Sequence, residues 1–302
     1  MKFIRAAVVL VALSAVSVQA AADPSLLGLI MPDAKSIAGV QLEQSRNSPL
    51  GQFILTQMGP APFEDIKNAT GFDPRTDLTE IVTASAGPTQ MLLVGRGVFQ
   101  PARILALVEG AKAPLGTYRG MTLISVDPQQ TVSVAFLDAN TVAAGTTAAV
   151  QGAIDRWFVS PSYTGPLASK VAEVSASTHA WSVATGLSDF LPAIPPGTPT
   201  VPPQLDVIRN LVATITQLSG GVVFGATTVE LKGKLETRSA QDAQSMADVL
   251  RLLAMMAPQP GLATAATFTN TGSVVNIQFL LTEQQVEQLL KPPVAATTVA
   301  AR

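Results

Sequence analysis

His179 is the only histidine of the chain, so any catalytic triad or histidine-dependent metal site must use it. A triad also needs a serine and a carboxylate that the fold brings close to the imidazole. Several candidates lie near it in sequence: Ser175, Ser177, Ser182 and Ser188-Asp189. The Gly-x-Ser-x-Gly turn that exposes many nucleophilic serines is absent. We therefore expect His179 to be a partly exposed residue at a strand end, beside Trp181.

The carboxylates show no better pattern for catalysis or metal binding. Asp73 and Asp77 in FDPRTD come nearest to a cation site, but an aspartate before proline is typical of a turn, where its side chain accepts backbone N–H groups. Glu64-Asp65 and the pair Glu283 and Glu287 have the spacing of solvated charges on helices. We assign no catalytic, cofactor-binding or metal-binding residue, and we expect no cofactor.

The composition excludes further classes of site. There are no cysteines, which excludes disulfides, zinc–thiolate sites, iron–sulfur clusters and thiol nucleophiles. The formal charge is −2, so the chain lacks the basic surface typical of nucleic-acid binders. Hydrophobic residues make up 47% and aromatic residues only 5%, so the core must be built mainly from Ala, Val, Leu and Ile.

Residues 1–22 have the pattern of a cleavable signal peptide. Lys2 and Arg5 precede an apolar run from Ala6 to Val16, and small residues follow at Val18-Gln19-Ala20. Cleavage is expected after Ala20 or Ala22, with an uncleaved N-terminal anchor as the alternative. The run is short for a membrane span, and no later stretch is long and apolar enough for one. We expect an exported protein, periplasmic or extracellular, without a transmembrane segment in the mature chain.

The stretch from Gly71 to Gly110 predicts a turn, two strands and a helix. Residues 81–83 and 91–94 are short apolar or β-branched runs, and Ala86-Gly87-Pro88-Thr89 supplies a reversal between them. Pro101 fits the first turn of the helix. Other elements predicted before residue 160 are strands at 36–42, 118–126, 132–137 and 141–144, and helices that begin at Ser48-Pro49, Phe63 and Thr146.

A similar order of elements returns between Ser219 and Ala257. Gly220-Gly221 separates a preceding amphipathic helix, predicted from Pro203 through Ile215, from a strand at 222–224. Val229 to Glu236 alternates like an exposed strand. A long helix follows Ser239, and its methionines Met246, Met255 and Met256 are interpreted as core. The other predicted elements are a strand at 180–184, a hairpin of 263–268 and 274–281, and a final helix at 282–290.

These patterns predict an α+β fold of two similar halves, each a mainly antiparallel sheet covered on one face by helices. The predicted division is a signal peptide (1–22), an N-terminal half (23–159), a C-terminal half (160–290) with a Pro-rich loop at 192–203, and a disordered tail (291–302).

The phrase GFDPRTDL at 71–78, with Arg96-Gly97, Phe99 and the strand entry Pro32-Asp33-Ala34, resembles exported proteins of environmental bacteria that form families of unknown function. The resemblance covers most of the mature chain and implies export and a two-part α+β body. It implies no catalytic residues.

Three functional hypotheses follow. The first is a non-enzymatic binding or structural protein of the cell envelope, with a protein partner, and it is favoured because nucleophile, metal and cofactor signatures are missing. The second is a periplasmic carrier of a small apolar ligand, held between helices and sheet. The third is a serine-type hydrolase that uses His179. An enzymatic role is disfavoured relative to a binding role.

Overall fold

The computed structural model describes residues 21–48, 51–52, 61–87, 89–127, 129–186, 210–225, 228–256, 262–282 and 284–286. A single antiparallel sheet of twelve strands dominates these residues, with helices packed against it. The predicted α+β class is therefore confirmed.

The strands follow one another along the chain as β1 (Ser36–Gln41), β2 (Leu78–Gly87), β3 (Gln90–Gly97), β4 (Leu115–Tyr118), β5 (Met121–Ser125), β6 (Val132–Phe136), β7 (Thr141–Thr146), β8 (Ala180–Thr185), β9 (Ile215–Phe224), β10 (Thr228–Thr237), β11 (Ala266–Thr271) and β12 (Val274–Thr282). The helices of the described residues are α1 (Pro24–Leu27), α2 (Leu42–Arg46), α3 (Ala61–Thr70), α4 (Pro74–Asp77), α5 (Pro101–Gly110), α6 (Thr147–Val159), α7 (Ala168–Ser175), α8 (Ala240–Met256) and α9 (Leu262–Ala265).

Across the sheet the strand order is β11-β12-β10-β9-β8-β1-β2-β3-β7-β6-β5-β4. The antiparallel pair β1 and β8 lies between two groups of strands, which we name the N-terminal side (β1–β7) and the C-terminal side (β8–β12). Outward from this pair the order is β1-β2-β3-β7-β6 on one side and β8-β9-β10-β12-β11 on the other. Strands β5 and β4 extend the N-terminal side.

Local signals placed several elements correctly. Strands β2 and β3 form the predicted hairpin around residue 87, and Pro101 occupies the first turn of α5. Asp73 caps α4 as a turn aspartate, because its Oδ1 accepts the N–H of Arg75 at 3.0 Å.

Several predictions were wrong in detail. Residues 263–265 of the predicted strand at 263–268 belong to helix α9, and strand β11 begins at Ala266. The single strand at 118–126 is instead the hairpin of β4 and β5, since Arg119 (φ 48°) and Gly120 (φ 80°) adopt the paired positive φ values of a tight hairpin turn. Gly220-Gly221 does not separate elements but lies inside β9, paired with β10 and β8. Ile215 begins that strand and does not end a helix.

Other predictions fall on residues outside those that the structure describes. These are most of the helix after Ser48, the Pro-rich loop at 192–203, the beginning of the helix from Pro203, Ser188-Asp189, Glu283, Glu287, most of the final helix, the leader before residue 21 and the tail at 291–302. The domain boundaries also stay predictions.

Candidate functional site

Side chains alternate between the two faces of the sheet, which we name by two adjacent residues of β8: the Trp181 face and the Ser182 face. The register aligns the residues of each face across neighbouring strands. On the Trp181 face, Ile37 pairs with Val183, and Gly39 pairs with Trp181. On the Ser182 face, Ala38 pairs with Ser182.

On the N-terminal side the hydrophobic core lies on the Trp181 face. Ile37, Val82 and Val94 are at most 1% exposed there and belong to the largest buried cluster. Helices α1, α6 and α7 supply the facing side chains, including Leu26, Val150, Ile154 and Val171. The indole of Trp181 lies over Gly39, where a Cβ atom would come within 2.5 Å of the ring. Position 39 therefore requires glycine, because the Trp181 ring leaves no room for a Cβ atom.

On the C-terminal side the core lies on the opposite face. Leu235 and Val275 belong to a buried cluster with Ala243, Met246 and Ala247 of α8. Leu235 pairs with Leu218, and both lie in the same row as Ala184 of the Ser182 face. Met255 and Met256, at 69% and 71% exposed, do not join this core, so only Met246 of the methionine stripe fulfils the prediction.

The charged side chains of the strands also differ between the two faces of the sheet. Within the twelve strands, the charged residues are Glu80, Arg96, Glu230, Lys232, Lys234 and Glu236. The register places all of them on the Trp181 face: Lys234 aligns with Ser219 and so with Val183, while Glu80 aligns with Gln41 of β1. The strands therefore present a Ser182 face without charge.

An apolar groove follows the Ser182 face across the middle of the sheet, and we name it the Ser182 groove. One part, of about 460 Å³, has walls that include Ala38, Leu93 and Ala144. A second part, of about 390 Å³, has walls that include Val222, Leu231 and Phe279. Ser182 lines both parts. The groove therefore crosses from the N-terminal side of the sheet to the C-terminal side.

One register row, with small side chains between a leucine and an isoleucine at its ends, forms the floor of this groove. The row consists of Leu93, Thr83, Ala38, Ser182, Gly220, Gly233 and Ile277. Its seven strands are separated by six steps of about 4.8 Å, which gives a length of roughly 30 Å. Neighbouring rows of this face carry larger apolar side chains, such as Ile81 and Leu231 on one flank and Leu218 on the other. A shallow apolar channel results.

Two glycines in that floor differ in what they would tolerate. A Cβ atom on Gly220 would lie 2.4 Å from the carbonyl oxygen of Lys232, so a side chain there would disturb the sheet. A Cβ atom on Gly233 would have its nearest neighbour in Ile277 Cβ, at 3.6 Å, and the carbonyl oxygen of Ser219 at 3.9 Å, which are ordinary contacts. A side chain at position 233 would therefore project into the groove without displacing backbone.

The Trp181 face of the C-terminal side carries a cavity of about 300 Å³ beside α7, with charged residues in its lining. Its charged side chains neutralise one another: Lys234 Nζ lies 2.6 Å from Glu173 Oε1, and Lys232 Nζ lies 2.8 Å from Glu230 Oε2. Lys234 holds the pKa of Glu173 below its usual value. Since the ion pairs are half-exposed and mutually satisfied, this cavity has less binding potential than the Ser182 groove.

His179 has a geometry unlike that of a triad histidine. Its Nδ1 accepts the backbone N–H of Phe224 at 2.9 Å, and its ring stacks on the Phe224 ring with centroids 5.8 Å apart. Burial lowers its pKa, which favours the neutral ring. A neutral ring that accepts at Nδ1 carries its proton on Nε2, whereas a triad needs Nε2 free to take the serine proton. The geometry therefore gives no support to a hydrolase.

The FDPRTD motif forms an ion-pair cluster centred on an arginine. The Arg75 guanidinium lies 2.8 Å from Asp73 and 2.5 Å from Glu64, and it stacks over the Phe63 ring. Arg75 holds the pKa of Asp73 far below its usual range. Among the described residues, no group of three or more carboxylate or histidine side chains is placed to hold a metal ion. The Arg75 guanidinium thus occupies the position beside Asp73 that was considered for a metal ion.

Sequence reasoning missed the Ser182 groove because its residues come from positions 36 to 279 and none is chemically distinctive. It also missed a half-buried glutamate. Glu80, on the Trp181 face, accepts the backbone N–H of Asp23 at 3.1 Å, and the Asp23 carboxylate pairs with Arg96 at 2.8 Å. A charged residue in an otherwise uncharged strand was the available signal.

No helix within the described ranges is long and apolar enough to cross a membrane. No protein-family model matches the sequence, and no curated protein matches it. Among solved structures, the chain is similar to TP0453 in crystal forms I, III and IV, with identities of 11%, 12% and 11% and TM-scores of 0.50, 0.55 and 0.50. Each match covers 89% of this chain and 97% of that chain. At such identity the similarity shows a shared fold and nothing about function.

Proposed function

We propose that this chain is an exported, non-enzymatic protein of the cell envelope that binds an apolar ligand in the Ser182 groove. The observation that carries the proposal is the groove itself, which is largely apolar and about 460 Å³ and 390 Å³ in its two parts. Lys232, the one charged residue in its lining, directs its side chain to the Trp181 face and pairs there with Glu230. These volumes are in the range of small-molecule sites. The leader pattern of residues 1–22 supports export.

The ligand class follows from the shape and chemistry of the groove. A channel roughly 30 Å long with a floor of small side chains suits an extended hydrocarbon chain better than a compact ring system. The strand side chains of the Ser182 face carry no charge and provide no counter-ion for a charged group, whose burial without a partner would be costly. The proposed ligand is therefore a linear apolar molecule, or the hydrocarbon part of a lipid.

The experiment compares two leucine substitutions of strand glycines. In Gly233→Leu the side chain enters the groove, whereas in Gly116→Leu it extends from the edge strand β4, where its nearest neighbour is Leu123 Cβ at 3.8 Å. Binding is measured with a fluorescent fatty-acid analogue and with a fluorescent hydrocarbon that lacks a carboxylate. We expect saturable binding of both by the wild type and the Gly116→Leu variant, and at least a tenfold weaker affinity for Gly233→Leu.

Absence of saturable binding by the wild type would overturn the apolar-carrier proposal and favour a protein partner. Equal affinity in the wild type and Gly233→Leu would place any bound probe elsewhere. Circular dichroism of both variants verifies that each is folded. Native mass spectrometry of protein purified from its own envelope fraction would then identify a ligand that is retained by the groove.

We further propose that the two sides of the sheet are products of an internal duplication, with halves at 23–159 and 160–290. The matching orders β1-β2-β3-β7-β6 and β8-β9-β10-β12-β11 support it, as does the helix that follows the third strand in each half, α5 and α8. Membership of the GFDPRTDL-containing exported proteins is proposed on the motif alone.

A further inference from the structure

The amino-terminal residues of the described chain are part of the principal core. Ala22 is 2% exposed and belongs to the largest buried cluster, together with Leu26 and Ile30. Ala21, one residue earlier, is exposed. Ala22 is therefore the first buried residue of the described chain.

Beside this boundary lies a cluster whose charges do not balance. Both carboxylate oxygens of Glu80 face the backbone nitrogen of Asp23, at 3.1 Å and 3.3 Å. Arg96 pairs with the Asp23 carboxylate and also donates to Thr141 Oγ1 at 2.5 Å. Asp23 and Arg96 are the charged groups that act on Glu80, so two carboxylates share one cation.

We propose that the signal peptide is removed between Ala20 and Ala21, and that the α-ammonium group so created joins the Asp23, Glu80 and Arg96 cluster as its missing cation. Either predicted cleavage site satisfies the preference for small residues. Of these two sites, only cleavage after Ala20 leaves Ala22 in the mature chain, where it is part of the core. The new ammonium is then two residues from Asp23, within about 7 Å of its nitrogen even in an extended chain.

The chemistry of Glu80 agrees with this assignment. In the uncleaved chain, burial raises the pKa of Glu80 to about 7, because one amide donor and a shared guanidinium do not offset the loss of water. The ordinary pKa of a glutamate is 4.5, so between pH 4.5 and about 7 the unfolded chain releases this proton more readily than the folded chain does. The free energy of unfolding therefore falls as the pH rises through this range. A neighbouring ammonium opposes this loss. An α-amino group is mostly protonated at pH 7.

The first test is the amino terminus of the exported protein, determined by intact mass and N-terminal sequencing. Ala21 is the expected first residue. A chain that begins at Asp23, or one that retains the leader, overturns the proposal.

The second test compares the chain that begins at Ala21 with the same chain acetylated at its amino group, each in wild-type, Glu80→Gln and Glu109→Gln forms. Glu109 is an exposed glutamate of α5 and serves as the matched control. We expect acetylation to lower the Tm at pH 7 by about 2–4 °C in the wild type and in Glu109→Gln, the shift that corresponds to about 1 kcal/mol in a chain of this size. In Glu80→Gln the difference should disappear. An equal shift in all three forms, or none in the wild type, overturns the ammonium–Glu80 pairing.

Discussion

The two sides of the sheet use opposite faces for their cores. On the Trp181 face, a single register row reads Ile37, Val183, Ser219 and Lys234, from apolar to charged. On the Ser182 face, the neighbouring row reads Ser36, Ala184, Leu218 and Leu235, from polar to apolar. Within one continuous sheet, the buried face therefore changes from the Trp181 face on the N-terminal side to the Ser182 face on the C-terminal side.

The helical connections account for this reversal. Helices α6 and α7 join β7 to β8 and pack on the Trp181 face, α6 against β3, β6 and β7 of the N-terminal side and α7 against β8 and β9. Helix α8 joins β10 to β11 and packs on the Ser182 face of the C-terminal side. Between the two covered regions, the Ser182 face keeps the groove and the Trp181 face keeps its charged cavity. The comparison teaches that an apolar groove arises where the core changes face.

The largest effect on stability is expected from two reciprocal substitutions in the row that contains Ile37 and Lys234, each of which places the residue type of one side of the sheet on the other. Ile37→Lys places a charge where the native side chain is 1% exposed, and the cost of an unpaired buried charge should exceed the stability of most domains, so that no cooperative unfolding transition remains. The reciprocal Lys234→Ile change occupies a half-exposed position and should alter the free energy of unfolding by about 1 kcal/mol or less. Urea titration followed by circular dichroism measures both. A folded Ile37→Lys protein would refute the face assignment.

An intermediate effect is expected from adjacent residues of β1 that point to opposite faces. Gly39→Val must displace the Trp181 ring, which already lies 2.5 Å from the position of a Cβ atom, and overpacking of this kind costs about 3 kcal/mol. Ala38→Val adds the same branched side chain on the groove side and should change stability by about 0.5 kcal/mol or less. Thermal denaturation of the pair gives the difference. Similar losses in both variants would mean that the groove side of β1 is packed as tightly as the core.

The smallest effect is expected on the charged Trp181 face of the C-terminal side. Lys234→Ala removes the ion pair with Glu173, in which both side chains are nearly half exposed, and should cost about 0.5 kcal/mol at low salt. The cost should fall further in high salt, where exposed charges are screened. Glu173→Gln provides the reciprocal variant for a double-mutant cycle. A loss of several kcal/mol that persists in high salt would show that this face is a core as well.

Local sequence signals predicted the elements in which a few adjacent residues decide the conformation. The turn after residue 85, Pro101 at the start of α5 and the alternation of β10 could all be identified because capping, φ restriction and side-chain periodicity act over two to ten residues. The Arg119-Gly120 turn was missed, since an arginine with positive φ carries no strong local signal.

The candidate site could not be predicted in the same way. Gly220 suggests a break between elements when the sequence is considered alone, yet in the sheet it pairs with Gly233 on the floor of a groove. Ala38 and Ser182 are equally uninformative until the register aligns them. No local rule specifies which strands become neighbours when 144 positions separate the two residues.

The sequence by itself determined the α+β class and the absence of thiol and metal-thiolate chemistry, and it predicted an export signal, because composition and short-range patterns suffice for each. Only the tertiary structure decided which face of each strand is buried, where the core changes face and that the backbone of Asp23 meets Glu80. Those features depend on strand register and helix placement, which sum contacts between residues far apart in the chain.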